Sequence, residues 1–216
     1  SVYYNTASNG VYVYDPNAST ASLTKILSSS THGVGFIGEG ANRKMYISAN
    51  GVVTSGSSSN TILRYDIGTS DSWSGSYSSA FTTSSSVLIN GTGDVITTDN
   101  AIIASQTRYS PNNLSDVPSF IVVNQSGTTT YNSATLNTVA TDGSSLEGCN
   151  GGGIAITEDK SIFAVAEGAA SASGTDISVK IFDVRWNGAT PTFIYKYTIP
   201  LSGTYEISQM DFDHAD

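Results

Sequence analysis

Short apolar runs separated by polar turn residues recur along the chain, and residues 154–185 show the pattern clearly. Two apolar runs flank the polar segment Glu158–Ser161, and a third run follows a connection rich in Ser, Gly and Ala. Neighbouring side chains of a strand point to opposite faces, so alternation with a period of two predicts β-strands. We predict a tight hairpin and then a third strand. The third strand should carry two sets of side chains on opposite faces: Ile177, Val179 and Ile181, and Ser178, Lys180 and Phe182.

An aromatic residue followed by aspartate ends this third strand, and the pair recurs through the chain. The copies are Tyr14-Asp15, Tyr65-Asp66 and Phe182-Asp183, with a weaker copy at Val123-Asn124, and they lie 51, 58 and 59 residues apart. Self-similarity at such a period predicts a repeat architecture with one supersecondary unit per repeat. The Asp or Asn suits a turn, because its side chain accepts hydrogen bonds from nearby backbone N–H groups.

We call the Asp or Asn of each copy the marker. A hairpin precedes each later marker and a more variable strand follows it, so each repeat is predicted to form four antiparallel strands. Such a unit is the blade of a β-propeller. We therefore predict one all-β domain over residues 1–216, a propeller of about four blades. Its repeats cover approximately 32–84, 85–150 and 151–206, and the remaining repeat combines 207–216 with 1–31.

The two ends of the chain are predicted to complete one blade. The segment Ile207–Phe212 matches the first strands of other repeats, and Val2–Thr6 matches the second strands. Antiparallel pairing of these segments would close the ring and remove exposed sheet edges. The alternative is that the sequence is a fragment of a larger propeller.

The aromatic–Asp strand ends and the hairpins ITEDKSIFAV and MDFDHAD resemble the bacterial β-propeller superfamily, in the broad sense that includes WD40, YVTN and NHL repeats. The resemblance covers nearly the whole chain and is one of architecture, since the Trp-Asp dipeptide of WD40 repeats and the string YVTN are both absent. The chain is similar in character to β-propellers on the surfaces of bacterial cells. This implies a secreted or cell-surface location.

Composition narrows the range of partners. The formal net charge is −9, and the nine Lys and Arg residues are scattered without forming a basic stripe. Nucleic acid and anionic membranes are therefore poor partners. No apolar run of about 18 residues is present, which argues against membrane insertion by a helix. Few charges and abundant Ser and Thr also fit a secreted or surface protein.

Candidate chemistry is sparse. The single cysteine, Cys149, cannot form an internal disulfide, and we interpret it as a small packed residue because a nucleophile needs a base nearby. Asp211, Asp213 and Asp216 offer oxygen ligands that calcium accepts, but an ordinary hairpin turn is the favoured interpretation. No other cofactor is predicted. His32 and His214 are expected at opposite ends of the ring, where they cannot cooperate.

Aromatic residues offer a second route to a ligand. Trp73, Trp186 and many of the 12 tyrosines could stack on sugar rings. Packing between blades is the favoured interpretation, because aromatic residues at alternating strand positions usually fill such interfaces.

In a propeller, the connections between second and third strands and between successive blades surround the mouth of the central channel. That face is the default ligand site. We predict ligand-binding residues there, and no catalytic residues or metal ligands. The predicted residues are His32, Arg108, Tyr109, Glu147, Glu167 and Glu206.

Three functions are compatible with this arrangement. The leading hypothesis is a non-catalytic binding or scaffold module for a glycan or a protein, because no paired catalytic constellation is evident. The alternative is a propeller enzyme, such as a lactonase, lyase or glycosidase, that uses Glu147, Glu167 and Glu206 at the channel mouth. The third is a structural fragment without a ligand site.

Overall fold

The computed structural model of this chain is all-β. It describes residues 2–6, 10–14, 23–27, 30–50, 61–69, 79–82, 92–106, 120–133, 153–167, 177–201, 207 and 210–213. The strands in these ranges form four antiparallel sheets, which we number in chain order.

The first sheet contains β1 (Val2–Thr6), β2 (Gly10–Tyr14) and β3 (Leu23–Leu27). The second contains β4 (Ser30–Ile37), β5 (Lys44–Asn50), β6 (Thr61–Asp66) and β7 (Ser79–Thr82), with a 3₁₀ turn at Gly40–Asn42. The third contains β8 (Thr92–Thr97), β9 (Ala101–Gln106), β10 (Phe120–Asn124) and β11 (Thr129–Asn132). The fourth contains β12 (Ile154–Ile156), β13 (Ile162–Glu167), β14 (Ile177–Asn187) and β15 (Thr190–Leu201).

Every sheet is a meander in which each strand pairs with the next one along the chain. The prediction of four antiparallel strands per unit is confirmed for the second, third and fourth sheets. The first sheet has three strands.

The strand-end markers occupy one register position. In the second, third and fourth sheets, the marker residue lies opposite the first residue of the second strand; the pairs are Asp66–Lys44, Asn124–Ala101 and Asp183–Ile162. The residue before each marker, Tyr65, Val123 or Phe182, is fully buried. These three markers are therefore equivalent, as the repeat predicted, while Asp15 lies outside the described residues.

The marker side chains do not share the predicted turn function. Asn124 Oδ1 accepts hydrogen bonds from the backbone N–H groups of Ser126 and Thr128, both at 2.9 Å. Asp66 and Asp183 instead form ion pairs, with Arg64 and Lys196. Since β14 continues through Asn187, Asp183 lies inside a strand, and the prediction that this strand ends at the marker is wrong.

The sheets pack face to face, and both faces of the second and third sheets are buried. Between the first and second sheets the core is Val11, Met45, Ile47, Leu63, Tyr65 and Ile67. Between the second and third it is Ile37, Tyr46, Ile62, Val95, Ile102, Ala104, Ile121 and Val123. Adjacent residues such as Met45 and Tyr46 serve opposite cores, because successive strand side chains point to opposite faces.

An aromatic cluster fills the core between the third and fourth sheets. Phe193 on β15 lies 5.2 Å from Phe120, 4.7 Å from Tyr131 and 5.2 Å from Phe163 between ring centroids, in tilted or edge-to-face arrangements. Such pairs add to the free energy gained by burying the rings. The predicted faces of β14 are confirmed for three residues, since Phe182 joins this core while Val179 and Ile181 pack on the other side of the sheet.

The C-terminal segment covers that other side. Ile207, Met210 and Phe212 pack against Ala155, Ala164, Val179 and Ile181, and the Gly153 N–H donates to the Ile207 carbonyl oxygen at 2.9 Å.

The predicted closure through the chain ends is not seen in the described ranges. There, β1 pairs only with β2, and residues 207 and 210–213 are not in a strand. The first sheet contacts β4 and shares no extensive contact with β14 or β15. Each described sheet therefore packs on the next one along the chain, from the first to the fourth, and the described residues do not form a closed ring.

Candidate functional site

Hydrogen bonds between sheets align one end of the second, third and fourth sheets. Lys44, at the start of β5, donates from Nζ to Gln125 Oε1 at 2.8 Å in the β10–β11 turn. Thr130 on β11 donates from Oγ1 to the carbonyl oxygen of Ala189 at 2.7 Å, in the β14–β15 turn. The hairpin turns of these three sheets thus lie side by side, and we call this the hairpin end.

Three longer connections leave the opposite end of the same sheets. At that end β5 is joined to β6 by residues 51–60, β9 to β10 by residues 107–119, and β13 to β14 by residues 168–176. At the hairpin end the turns 98–100 and 157–161 are shorter, whereas the connection between β6 and β7, residues 67–78, is also long. We call the opposite end, formed by the last residues of β5, β9 and β13 and the first residues of β6, β10 and β14, the long-connection end.

Two of the six predicted ligand-binding residues lie in described strands. His32 is in β4, within an irregularity of its pairing with β5 between Thr31 and Val34. Glu167 is the last residue of β13 and lies opposite Ser178. Both positions are at or near the long-connection end of their own sheets. Arg108, Tyr109, Glu147 and Glu206 lie outside the described residues, so the convergence of all six stays a prediction.

First strands of neighbouring sheets approach closely at glycines. A Cβ atom added at Gly33 on β4 would lie 2.2 Å from the backbone nitrogen of Val95 on β8, closer than any real Cβ contact. Further along, Thr97 Oγ1 donates to the carbonyl oxygen of Phe36 at 2.6 Å. Glycine therefore lets the two first strands approach each other closely at this junction.

Asp94 brings a carboxylate into the junction of β4 and β8. Its Oδ1 accepts a hydrogen bond from the Val95 N–H at 2.8 Å, and its own N–H donates to Ser105 Oγ at 2.8 Å. Burial raises the pKa of Asp94 to about 7, and the negative charge of Asp211 adds to the increase, while the Val95 N–H bond opposes it. At neutral pH this carboxyl group is therefore poised between its protonated and ionised forms.

The sequence prediction missed Asp94. In the string NGTGD, residues 90–94, the aspartate directly precedes the apolar residues Val95 and Ile96. An acid inside the first strand of a predicted blade was the available signal. First strands are packed against neighbouring sheets, where desolvation raises a carboxyl pKa.

Two side chains of β14, Trp186 and Lys180, are also largely enclosed by the protein. Trp186 is half-buried, donates from Nε1 to the carbonyl oxygen of Lys160 at 2.9 Å and packs against the aromatic core. Its interpretation as a packing residue is confirmed, while Trp73 lies outside the described residues. Lys180 is 2 % exposed and lies opposite Val165 in the ladder between β13 and β14.

The acids of the C-terminal segment do not assemble a metal site within the described ranges. Asp211 and Asp213 are exposed, and Asp211 Oδ1 accepts a hydrogen bond from the Phe212 N–H at 2.9 Å. Asp216 lies outside the described residues. Elsewhere in that part of the chain, no group of three or more His, Cys, Asp and Glu residues could hold a metal ion.

No helix in the described ranges is long and apolar enough to cross a membrane. A scan of the chain against protein-family models finds no match, and neither does a search of curated proteins.

Proposed function

We propose that the chain is a non-catalytic binding or scaffold module of a secreted or surface-exposed bacterial protein. Its ligand is a glycan or a protein, bound at the long-connection end. The observation that carries this proposal is the alignment of three sheets by the Lys44–Gln125 and Thr130–Ala189 hydrogen bonds. This alignment sends three longer connections from one side of a packed scaffold, an arrangement that commonly supports ligand binding.

The fold that we propose with it is a β-propeller of about four blades. Contacts of β4 with β8 and of β8 with β12 support it, because first strands of neighbouring blades adjoin around a propeller axis. The position of Ile207, Met210 and Phe212 on the fourth sheet also supports it. These residues occupy the place that the first strand of a following blade would take, and pairing of this segment with β1 would complete the ring.

A glycan microarray tests the binding function. Labelled wild-type protein is expected to bind one class of glycan, and the variant Arg108→Ala/Tyr109→Ala is expected to lose at least about tenfold in affinity, or about 1.4 kcal/mol. The matched control is Arg185→Ala, which removes an exposed arginine near the hairpin end and should bind as the wild type does. Equal losses in both variants would contradict a site at the long-connection end.

A protein ligand requires a separate measurement. A photo-cross-linking residue placed at Glu167 should capture a discrete partner on bacterial cells, whereas the same residue at Arg185 should not. Wild-type protein that binds no glycan and cross-links equally from both positions would refute the proposed function.

Asp94 favours a second candidate function, that of a hydrolase. A carboxyl group with a pKa of about 7 beside a second acid, Asp211, suits general acid–base catalysis near neutral pH. Screening with lactones and aryl glycosides separates the two functions. We expect no turnover above background, and turnover that disappears in Asp94→Asn would reverse this ranking.

A further inference from the structure

The short strand β12 connects the C-terminal segment to the junction at which Asp94 lies. On one side β12 contacts β8, the strand that carries Asp94. On the other side the N–H of Gly153, the residue before β12, donates to the Ile207 carbonyl oxygen at 2.9 Å. A Cβ atom added at Gly153 would lie 2.8 Å from that oxygen and 3.3 Å from Met210 Cγ, so the segment is packed closely on the sheet. Asp94 of β8 and Asp211 of the segment are thus brought to the same edge of the third and fourth sheets.

Buried and exposed side chains alternate along residues 210–213 of the segment. Met210 and Phe212 are half-buried and pack against the fourth sheet, whereas Asp211 and Asp213 are exposed. The segment therefore presents an apolar side to the sheet and an acidic side away from it. Its contact with the sheet is apolar, so the charges on its other side can influence how firmly it is held.

Asp94 is enclosed on its other sides by β4 and β9. A Cβ atom at Gly33 of β4 would lie 2.9 Å from Asp94 Oδ1, and the Asp94 N–H donates to Ser105 Oγ of β9 at 2.8 Å. Burial raises the pKa of Asp94 to about 7, and the negative charge of Asp211 contributes to the increase. The interaction of two charges is mutual, so the protonation state of Asp94 also acts on Asp211 and on the segment that carries it.

The elements packed around Asp94 carry few other charged or titratable groups in the described ranges. The strands β8, β9 and β12 contain none besides Asp94 itself. The strand β5 carries Lys44, which lies at the hairpin end and is hydrogen-bonded there. The strand β4 carries His32, and the C-terminal segment carries Asp211 and Asp213. The charge that the segment presents is therefore negative, and His32 is the other group in these elements that titrates near neutral pH.

We propose that the C-terminal segment is a pH-sensitive cover of the fourth sheet, docked while Asp94 is protonated and released when Asp94 and Asp211 both carry a negative charge. Two carboxylates near each other repel, most strongly where one of them is partly removed from water. This repulsion is relieved when the exposed acid moves away together with its segment. Release uncovers Ala164, Val179 and Ile181 of the fourth sheet. The arrangement thus couples the exposure of an apolar face to the pH of the surroundings.

Docking is favoured at acid pH and is weakened as the pH rises towards 7. The pKa of Asp94 is about 7 with the segment in place. It is lower in the released state, because the charge of Asp211 has moved away. The docked fraction therefore decreases as the pH rises from the lower of these two pKa values to the higher, between about pH 6 and about pH 7. The coupling is reciprocal, so removal of the Asp211 charge should lower the pKa of Asp94 by the amount that it removes from the pH dependence of docking.

Amide hydrogen exchange of the Gly153 N–H measures docking directly, because this group donates to the Ile207 carbonyl oxygen. Its protection factor, taken relative to the intrinsic exchange rate at the same pH, should fall about three- to tenfold between about pH 5.5 and about pH 8, as expected for a coupling of about 0.5 to 1 pKa unit. The Ala166 N–H donates to the Gly153 carbonyl oxygen at 2.9 Å within the same sheet. It is the internal control and should keep its protection over this pH range.

Variants that remove single charges identify the groups responsible. Asp94→Asn and Asp211→Asn should each abolish the pH response of the Gly153 N–H, and Asp211→Asn should also lower the pKa of Asp94 in an NMR titration. Asp213→Asn is the matched control, since it removes the other exposed acid of the segment and should respond as the wild type does. His32→Gln should likewise keep the response. Asp211→Asn changes an exposed position, so it tests the proposal even if Asp94→Asn fails to fold.

Added salt tests the electrostatic cause. Asp211 is exposed, so about 1 M salt should screen its charge and reduce the pH response of the Gly153 N–H by at least about half. Protection of Gly153 that does not change with pH would overturn the proposal, as would a response that Asp211→Asn retains. A response lost in His32→Gln would also overturn it, and so would equal losses of protection at Gly153 and Ala166, which would indicate opening of the whole sheet.

Discussion

Asp94 illustrates how much the surroundings of one residue decide its chemistry. The chain has 18 acidic residues, and most of the described ones are exposed, as Asp99 and Asp211 are. Asp94 differs because β4 crosses it at Gly33, where a Cβ atom would lie 2.9 Å from its Oδ1. This close approach excludes water, so the neutral form of the carboxyl group is favoured.

We predict that Asp94→Asn stabilises the protein above neutral pH. The pKa of Asp94 is about 7 in the folded chain and 3.8 when unperturbed, so the wild-type free energy of unfolding decreases as pH rises from about 4 to about 7. Each unit of pKa difference corresponds to about 1.4 kcal/mol, which gives a gain of up to about 4 kcal/mol for the variant at pH 8.

Urea unfolding at several pH values measures this difference. The variant keeps an oxygen that can accept the Val95 N–H, and it should show a weaker decrease in stability over this pH range. Asp99→Asn, in an exposed turn, is the control and should follow the wild type. Parallel curves for Asp94→Asn and wild type would contradict the raised pKa.

At the scale of elements, the irregular first strands are where sheets contact each other closely. The pairing of β4 with β5 shifts between Thr31 and Val34, and that of β8 with β9 shifts between Thr92 and Val95. Both irregularities lie where Gly33 meets the backbone of Asp94 and Val95. A strand irregularity next to a glycine allows this approach, which an ordinary side chain would block.

We predict that Gly33→Ala and Gly35→Ala differ in their effect on stability. At Gly33 the new methyl group would meet backbone atoms, 2.2 Å from Val95 N, whereas at Gly35 its nearest contact is the Thr97 side chain, Cγ2 at 2.6 Å. Backbone cannot move aside as a side chain can, so Gly33→Ala should cost about 1–3 kcal/mol. Gly35→Ala should cost less, because the Thr97 side chain can change its position to make room for the methyl group.

Chemical denaturation of both variants provides the test. The two sites lie on the same strand and receive the same substitution, so each serves as the control for the other. Equal costs would mean that the first strands separate more easily than the close approach implies.

At the scale of the molecule, the C-terminal segment, residues 207–213, covers one face of the last sheet. Met210 and Phe212 pack on a face of the fourth sheet that β15 leaves partly exposed. Repeat proteins bury the face of each unit against the next unit, and a terminal face needs a cover. The segment provides that cover for the inner part of the sheet.

We predict that deletion of Ser208–Asp216 lowers the Tm and promotes self-association. Loss of the partly buried Met210 and Phe212 should cost about 2–3 kcal/mol, which corresponds to a decrease of about 5–10 °C in a domain of this size. The newly exposed Ala164, Val179 and Ile181 should increase association at high concentration. A shorter deletion, of residues 214–216, keeps both side chains and is the control.

Thermal unfolding and light scattering check this prediction together. A long deletion that leaves the Tm and the mass unchanged would show that the segment does not stabilise the fourth sheet. Equal effects of both deletions would assign the stabilisation to residues other than Met210 and Phe212.

The sequence by itself determined most strands of the second, third and fourth sheets, their antiparallel order and the register of the markers, but not the end of β14 or the conformation of the C-terminal segment. Alternation and turn residues are local properties, so the hairpin at Glu158–Ser161 and the equivalence of Asp66, Asn124 and Asp183 were predictable from neighbouring residues. The tertiary structure decided what each face contacts, since burial depends on residues distant along the chain. Packing gives Asp94 its raised pKa and places Asp183 inside a long strand, and neither follows from a local pattern.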